Sequence, residues 1–189
     1  MIEVPCPWFP QRDNALSPGS TCNMTSTAMV LSAFGIVGDG SGQQLEDQLT
    51  RECQRRGIDF REASSIQAMV AWKGCKARFS TAATWPEVIR HLKAGGLCIM
   101  HGWFTPSGHI VVICGVDEQR KEWLVNDPAG EWANGGYGWR WDGRRQRYSF
   151  RLMDAVGRAD SYSEAMEAYR SGQPVPARKK TLWVHFISR

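Results

Sequence analysis

Apolar positions change their period near residue 97. Before it they recur at three- and four-residue spacing; after it they gather into short runs between turn residues. Met24, Ala28, Leu31 and Phe34, with Met29 alongside, form the first helical stripe, preceded by Thr21 and closed by Gly35. The spacing predicts a core-facing helix whose first turn holds Cys22. A second helix is predicted from about Gly42 to Arg56, with Leu45, Leu49 and Cys53 on one stripe and Gly57 as the stop. A third runs from about Ser65 to Trp72, ahead of Gly74. A fourth opens at Thr84, where Thr84-Trp85-Pro86-Glu87 fits a capping box with Pro in the first turn; it ends at Gly95-Gly96.

Beyond that point Leu97 to Trp103, His109 to Val116 and Glu122 to Asn126 are short apolar or β-branched runs, read as adjacent antiparallel strands. Glu131 to Asp142 is a Gly- and Trp-rich loop. Gln146 to Leu152 reads as another strand, Ser163 to Tyr169 as a short helix and Leu182 to Ile187 as a closing strand. Residues 1–21, rich in Pro, Gly, Ser and Asn, form an extended, turn-rich opening segment. No repeat is visible. The expected architecture is one α+β domain spanning 1–189, with N-terminal helices packed on a C-terminal antiparallel sheet.

The length of 189 residues suits one such domain, and 42% hydrophobic with 22% charged residues is a globular balance. No apolar run reaches the roughly 18 residues that span a bilayer. Met1 to Pro10 has neither a basic region nor an apolar core, so a secretory signal is not expected. Synthesis in the cytoplasm follows, with any passage to the periplasm or wall left to a separate factor. The net charge of +4 is too mild to indicate a nucleic-acid partner. Arg140, Arg144, Arg145, Arg147 and Arg151 nonetheless crowd one stretch opposed only by Asp142. They fit either an anionic partner or a solvated strand edge guarded by charge. The cysteines, Cys6, Cys22, Cys53, Cys75, Cys98 and Cys114, show no CxxC pair. In a reducing compartment most read as small buried hydrophobes.

Cys22 has chemistry available to it. A helix N-terminus offers partial positive charge that favours a thiolate, and N–H groups that can hold an oxyanion. Taken alone, a buried structural cysteine explains it as well. His109 lies in Ser107-Gly108-His109-Ile110-Val111-Val112, at the mouth of an apolar strand, where a polar ring needs a partner. It is either a general base or a core histidine bonded to a carbonyl. His101 is the better candidate for that second part, whereas His91 and His185 look incidental. Asp127 follows Leu124-Val125-Asn126 on the neighbouring strand and precedes Pro128, so it reads equally as a turn residue or as the carboxylate that orients the imidazole. Gln11, in the irregular opening, is either an exposed loop residue or an amide donor to the oxyanion.

Together these residues reach a family resemblance. Val4-Pro5, Phe9-Pro10-Gln11-Arg12-Asp13-Asn14, Thr21-Cys22-Asn23-Met24-Thr25-Ser26 and Ala28-Met29-Val30-Leu31 resemble the start of the bacteriocin-leader-processing, double-glycine-peptidase-like family of papain-like cysteine peptidases. Gly108-His109-Ile110-Val111-Val112 with Gly115-Val116-Asp117 is similar to its histidine strand, and Asn126-Asp127-Pro128-Ala129-Gly130 to its third-residue motif. Residues 131–189 match only loosely. The resemblance implies a papain-like fold with Cys22 as nucleophile, His109 as base, Asp127 as its orienting residue and Gln11 in the oxyanion hole. A transporter-linked member would continue into membrane spans and a nucleotide-binding domain. The loop holding Ser17-Pro18-Gly19-Ser20 instead resembles the stand-alone members.

Nine Trp residues are many for this length, and Trp132, Trp139 and Trp141 fall within the Gly-rich loop. They read as candidate substrate-binding rings, or as satellite core packing. The expected substrate is a peptide, preferably a bacterial cell-wall peptide, as for a phage-type lysin or a delivered toxin. Processing of a protein precursor or leader peptide is the alternative, and a catalytically silent papain-like binding module a third reading. No HExxH or other ligand cluster is present, so neither a metal nor another cofactor is expected.

Overall fold

The structure is a computed structural model that describes residues 1–138, 140–175 and 181–189. In chain order these form β1 (Ile2–Glu3), a one-turn 3₁₀ helix (Gln11–Asp13), α1 (Cys22–Ala33), α2 (Leu45–Arg55), α3 (Ala63–Trp72), β2 (Lys76–Ala83) and α4 (Trp85–Lys93). There follow β3 (Leu97–Gly102), β4 (His109–Asp117), β5 (Glu122–Asn126), β6 (Gln146–Ser149), α5 (Phe150–Arg158), α6 (Tyr162–Ser171) and β7 (Leu182–Ser188). The strands make one antiparallel sheet in the order β2-β7-β3-β4-β5-β6. Short β1 pairs with the end of β4 that β3 leaves free. The α+β reading of the sequence describes this fold.

The apolar runs explain the layering. Every residue of β4 is buried, which a strand covered on one face cannot achieve. Ile110, Val112 and Cys114 pack with Met24, Leu31, Leu49 and Met69 of α1–α3. Val111, Ile113 and Val116 pack with Val88, Met153, Val156 and Met166 of α4–α6. The helices therefore cover both faces of the sheet, α1–α3 one face and α4–α6 the other. Helix α1 lies between sheet and outer helices, and everything from Asn23 to Leu31 is buried.

Local signals set most boundaries. Thr84 and Glu87 form the anticipated capping box. Among the longer elements, β2 and α5 escaped the sequence reading. Strand β2 pairs with β7 at the sheet edge and carries Lys76, Arg78, Ser80 and Thr81, so it shows no apolar run. The strand expected over Gln146 to Leu152 stops at Ser149, whose Oγ accepts the Leu152 N–H at 3.1 Å and starts α5. That cap decides helix over strand.

The arginine cluster is engaged within the protein. Arg145 pairs with Glu3 at 2.9 Å and Arg147 with Glu122 at 3.0 Å. Arg140 lies 3.7 Å from Glu131. Arg144 and Arg151 sit over the rings of Trp8 and Tyr169. The stretch is thus a set of local ion pairs and stacked cations.

Candidate active site

Cys22 is the first residue of α1 and partly buried. No side chain caps this helix, and the Thr21 hydroxyl accepts from Asn14 instead. The Asn14 amide donates to Thr21 Oγ1 at 2.8 Å and to Thr25 Oγ1 at 2.9 Å, fastening the opening segment to α1. From α2, the Asp47 carboxylate accepts the N–H groups of Ala15 and Leu16, both at 3.0 Å. Gln11 is held in this frame. Its backbone N–H donates to the Pro128 carbonyl at 2.9 Å and its amide to the Pro18 carbonyl at 3.1 Å. At 8% exposure it is a buried residue, and its Oε1 has no partner among the described residues. A buried amide with unspent hydrogen-bonding capacity costs free energy unless something else uses it.

The connection from β3 to β4 delivers His109. Gly108 takes φ +78°, and its carbonyl accepts from Thr105 Oγ1 at 2.7 Å. Strands β4 and β5 lie side by side with Val112 opposite Asn126, which brings Asp127 to the same end of the sheet. His109 Nε2 and Asp127 Oδ1 are 2.8 Å apart. The ring's other nitrogen is left free of Asp127, and Cys22 lies close enough to act on the imidazole's charge. Burial alone would push the His109 pKa down. The Asp127 charge, its hydrogen bond and the Cys22 side chain outweigh that and raise it to about 10. The site therefore favours an imidazolium at neutral pH.

Asp127 is fully buried and saturated with donors. Besides His109, Oδ1 accepts the Ala129 N–H at 3.0 Å; Oδ2 accepts the hydroxyls of Tyr137 at 2.8 Å and Tyr148 at 3.0 Å. The Tyr137 ring stands edge-on to His109 with centroids 5.3 Å apart, covering the pair from the cleft side. Both tyrosines escaped the sequence reading. One lies in the irregular loop and the other on a strand where an aromatic is unremarkable, and nothing local marks either as an Asp127 ligand. Removing one donor to a charged acceptor costs about 1.5–3 kcal/mol. Tyr137→Phe is thus expected to lower kcat/KM about tenfold, and Tyr137→Ala further, since the ring's cover goes too. Steady-state kinetics at several pH values check this.

The backbone at Asp127 is fixed as tightly. Its N–H donates to the Gly143 carbonyl at 2.9 Å, and its carbonyl accepts the Trp8 indole N–H at 2.7 Å. A Cβ on Gly143 would lie 1.9 Å from that carbonyl oxygen. Gly143→Ala is expected to lose about 1–3 kcal/mol of stability through overpacking, read as a lower urea midpoint, and to lose activity with it.

These residues border a cleft of about 980 Å³ lined by Gln11, Cys22 and His109 on one side and by His101, Trp103 and Trp183 farther along. Neither Trp132 nor Trp141 is among its lining residues. Trp132 is a core residue, 4% exposed, whose indole donates to the Phe104 carbonyl and whose backbone N–H donates to Tyr148 Oη, both at 2.9 Å. Satellite packing describes it, so the substrate-binding expectation for Trp132 is corrected. Trp141 is exposed, with the Arg12 guanidinium 4.0 Å above its ring. Trp139 lies outside the described residues. His91, rather than His101, bonds a backbone carbonyl, that of Ile187 at 2.9 Å. Among the described residues no group of three His, Cys, Asp or Glu is placed to hold a metal. The other cysteines are free. Burial pushes the Cys53 thiol up to about 11 and the Cys114 thiol to about 12, which leaves both inert at neutral pH.

The sequence model of the peptidase C39-like family matches residues 3–149. The chain belongs to the peptidase C39-like family. It is a cysteine peptidase with a papain-like fold. One similar solved structure is a double glycine motif protease from an AMS/PCAT transporter in complex with the leader peptide. It is 19% identical, with a TM-score of 0.51 over 99% of this chain and 94% of that one. Another is a C39-like peptidase from Bacillus anthracis, 15% identical, with a TM-score of 0.54 over 100% and 96%. At such identities the likeness carries the fold alone. No curated protein matches the chain at a significant level. The family match ends at Ser149, so α5, α6 and β7 lie beyond it, although β7 is central to the sheet.

Proposed function

We propose that this C39-like peptidase hydrolyses amide bonds in bacterial cell-wall peptides. Cys22 would serve as nucleophile, His109 as acid and base, Asp127 as the residue orienting His109 and Gln11 as an oxyanion donor. The observation that carries the catalytic part is the buried His109–Asp127 pair at 2.8 Å, with Cys22 lining the same cleft beside it. The Cys22 sulfur attacks the amide carbonyl after its proton has passed to His109. The carbonyl electrons move onto oxygen, where the second N–H of the Gln11 amide and the uncapped N-terminus of α1 receive them. Collapse of that intermediate breaks the C–N bond, and His109 gives its proton to the departing amine. Water, deprotonated by the same imidazole, then releases the acyl group and restores the thiol. Asp127 holds the ring in the required orientation and stabilises its charge throughout.

Two features support a wall peptide. Arg12 lines the cleft with its guanidinium over Trp141 and in no ion pair among the described residues, which suits a carboxylate of a stem peptide; Arg61 and Arg158, also at the cleft, are already paired with Asp59 and Asp154. The cleft also sits at the upper end of the usual range for small-molecule sites, which suits a branched substrate. Action at the wall would follow release by a separate factor. Leader-peptide processing is the second reading, favoured by the fold shared with a protease solved with its leader peptide. Purified sacculi, incubated with native protein and with Cys22→Ala, test between them. Clearing by the native protein alone, with new amino termini in the released fragments, supports the wall reading. Intact sacculi alongside cleavage of soluble double-glycine peptides would replace it with the second.

A further inference from the structure

The far end of the cleft carries polar aromatic residues that peptide hydrolysis does not use. Gly102 of β3 lies opposite His109 of β4, and His101 opposite Ile110. On β7 the same register continues from Ile99–His185 and Met100–Val184, which carries His101 to the level of Trp183. Alternation along the strands puts Trp183 and His185 on one face with His101, and Thr181 immediately precedes β7. His101, Trp183 and Thr181 all line the cleft. The His101 and Trp183 rings are 6.2 Å apart, and Phe79 stacks under His185 at 4.3 Å. Trp183 is 50% exposed in an otherwise packed sheet face.

The two histidines share one hydrogen bond, Nε2 to Nε2, at 3.0 Å. Burial holds His101 down to about 4, and burial with the neighbouring ring holds His185 down to about 3, so both are neutral. One ring must donate and the other accept. His185 is fully buried and its Nδ1 has no partner. If His101 were the donor, that Nδ1 would carry a sealed N–H with no acceptor. With His185 as donor, only a bare ring nitrogen is orphaned, and the remaining N–H falls on His101 Nδ1. On that assignment His101 Nδ1 is a donor with no partner among the described residues and, unlike His185 Nδ1, is not sealed from solvent.

Resting on the wall-peptide reading, we propose that Trp183, His101 and Thr181 form a saccharide subsite that seats a neutral N-acetylated aminosugar ring beside the peptide-cleaving residues. A pyranose needs a flat apolar face for its C–H groups and in-plane partners for its hydroxyl and acetamide groups. The open Trp183 indole supplies the first; the His101 N–H and the Thr181 hydroxyl supply the second. The neutral histidine pair supplies no net charge to select an anion or a cation over a neutral ligand. An aromatic peptide side chain would be better served by an enclosed apolar pocket than by a half-exposed ring with polar neighbours. Strands β4 and β7 are two strand spacings apart, about 10 Å, which an extended peptide spans in about three residues. The sugar and the scissile bond would thus be separated by two or three residues of stem.

The test uses the full-length Cys22→Ala protein, titrated with N-acetylglucosamine oligomers and followed by the indole N–H resonances in NMR. The Trp183 signal is assigned by its loss in Trp183→Phe. A saturable shift of that signal is expected. By isothermal titration calorimetry Trp183→Ala should weaken Kd at least tenfold and Trp183→Tyr should restore part of the affinity, while the other indole signals show that each variant is folded. Absence of a saturable shift, or a shift produced by sugar-free aromatic peptides and not by the oligomers, would overturn the subsite. Binding is read without cleavage, so a sugar response with intact sacculi supports the subsite and removes only the wall reading. Cleared sacculi without a sugar response remove only the subsite.

Discussion

Cys22→Ala is expected to remove peptide-bond hydrolysis, lowering kcat on the order of 10⁵-fold, while the unfolding midpoint stays within the error of measurement. The size follows from the chemistry. Without a nucleophile no acyl-enzyme forms, and what remains is water attack helped by positioning and oxyanion donors. The small structural effect follows from the place. Cys22 is only partly buried, and its thiol contacts are with His109 and, at 3.7 Å, with Asn23 Oδ1. Cys22 meets the α1–α3 cluster only at its rim, and alanine keeps the Cβ there. Single-turnover assays with an activated ester report both stages, because a burst of leaving group marks acylation. A variant that keeps a burst, or more than about a hundredth of native turnover, would remove Cys22 from the nucleophile's role and place the chemistry elsewhere in the cleft.

Much of this arrangement is legible in the chain, for reasons that differ residue by residue. The stripe of Met24, Ala28 and Leu31 places Cys22 at the head of a buried helix because an inner-layer helix must be apolar. The Glu122 to Asn126 run predicts β5 to the residue, since β-branched and apolar side chains filling both faces of a strand leave little ambiguity. Strand β2 is not legible, because an edge strand protected by charge looks like a loop. Gln11 reads as exposed in isolation, because its burial depends on Pro18 and Pro128, distant or irregular backbone that no local pattern announces. Trp132 invites a ligand in sequence and packs the core in fact. Its indole needs one acceptor, and the Phe104 carbonyl, 28 residues away, provides it. The arginine cluster has the same lesson. Its charges are paired through Glu3 and Glu122, which the fold brings alongside. Periodicity conveys which face is buried; it says nothing of which distant partner satisfies a buried polar group.

That limit is sharpest at Asp127, and it yields the second large effect. Asp127→Asn keeps the shape but removes the charge that holds His109 above its ordinary pKa. It also replaces one of two oxygens with an N–H group, where four donors now converge. Two opposing influences act on His109 in the native protein: burial lowers its pKa, and Asp127 and Cys22 raise it. With the charge gone, burial is expected to prevail and the value to drop below the ordinary 6.5. For kcat/KM against pH, the alkaline limb is set by loss of the imidazolium proton. It should lie near 10 in the native protein and move below neutrality in Asp127→Asn, with activity at pH 8 reduced by about a hundredfold or more. Stability should change with pH in the matching sense. A raised histidine pKa contributes stability that is complete below about 6.5 and fades as pH rises through the folded value. Native protein should therefore lose stability between pH 7 and pH 10 by an increment that Asp127→Asn lacks. An alkaline limb at the same pH in both proteins would show that Asp127 does not control the charge on His109, and its role would then be confined to holding the Tyr137 and Tyr148 hydroxyls in place.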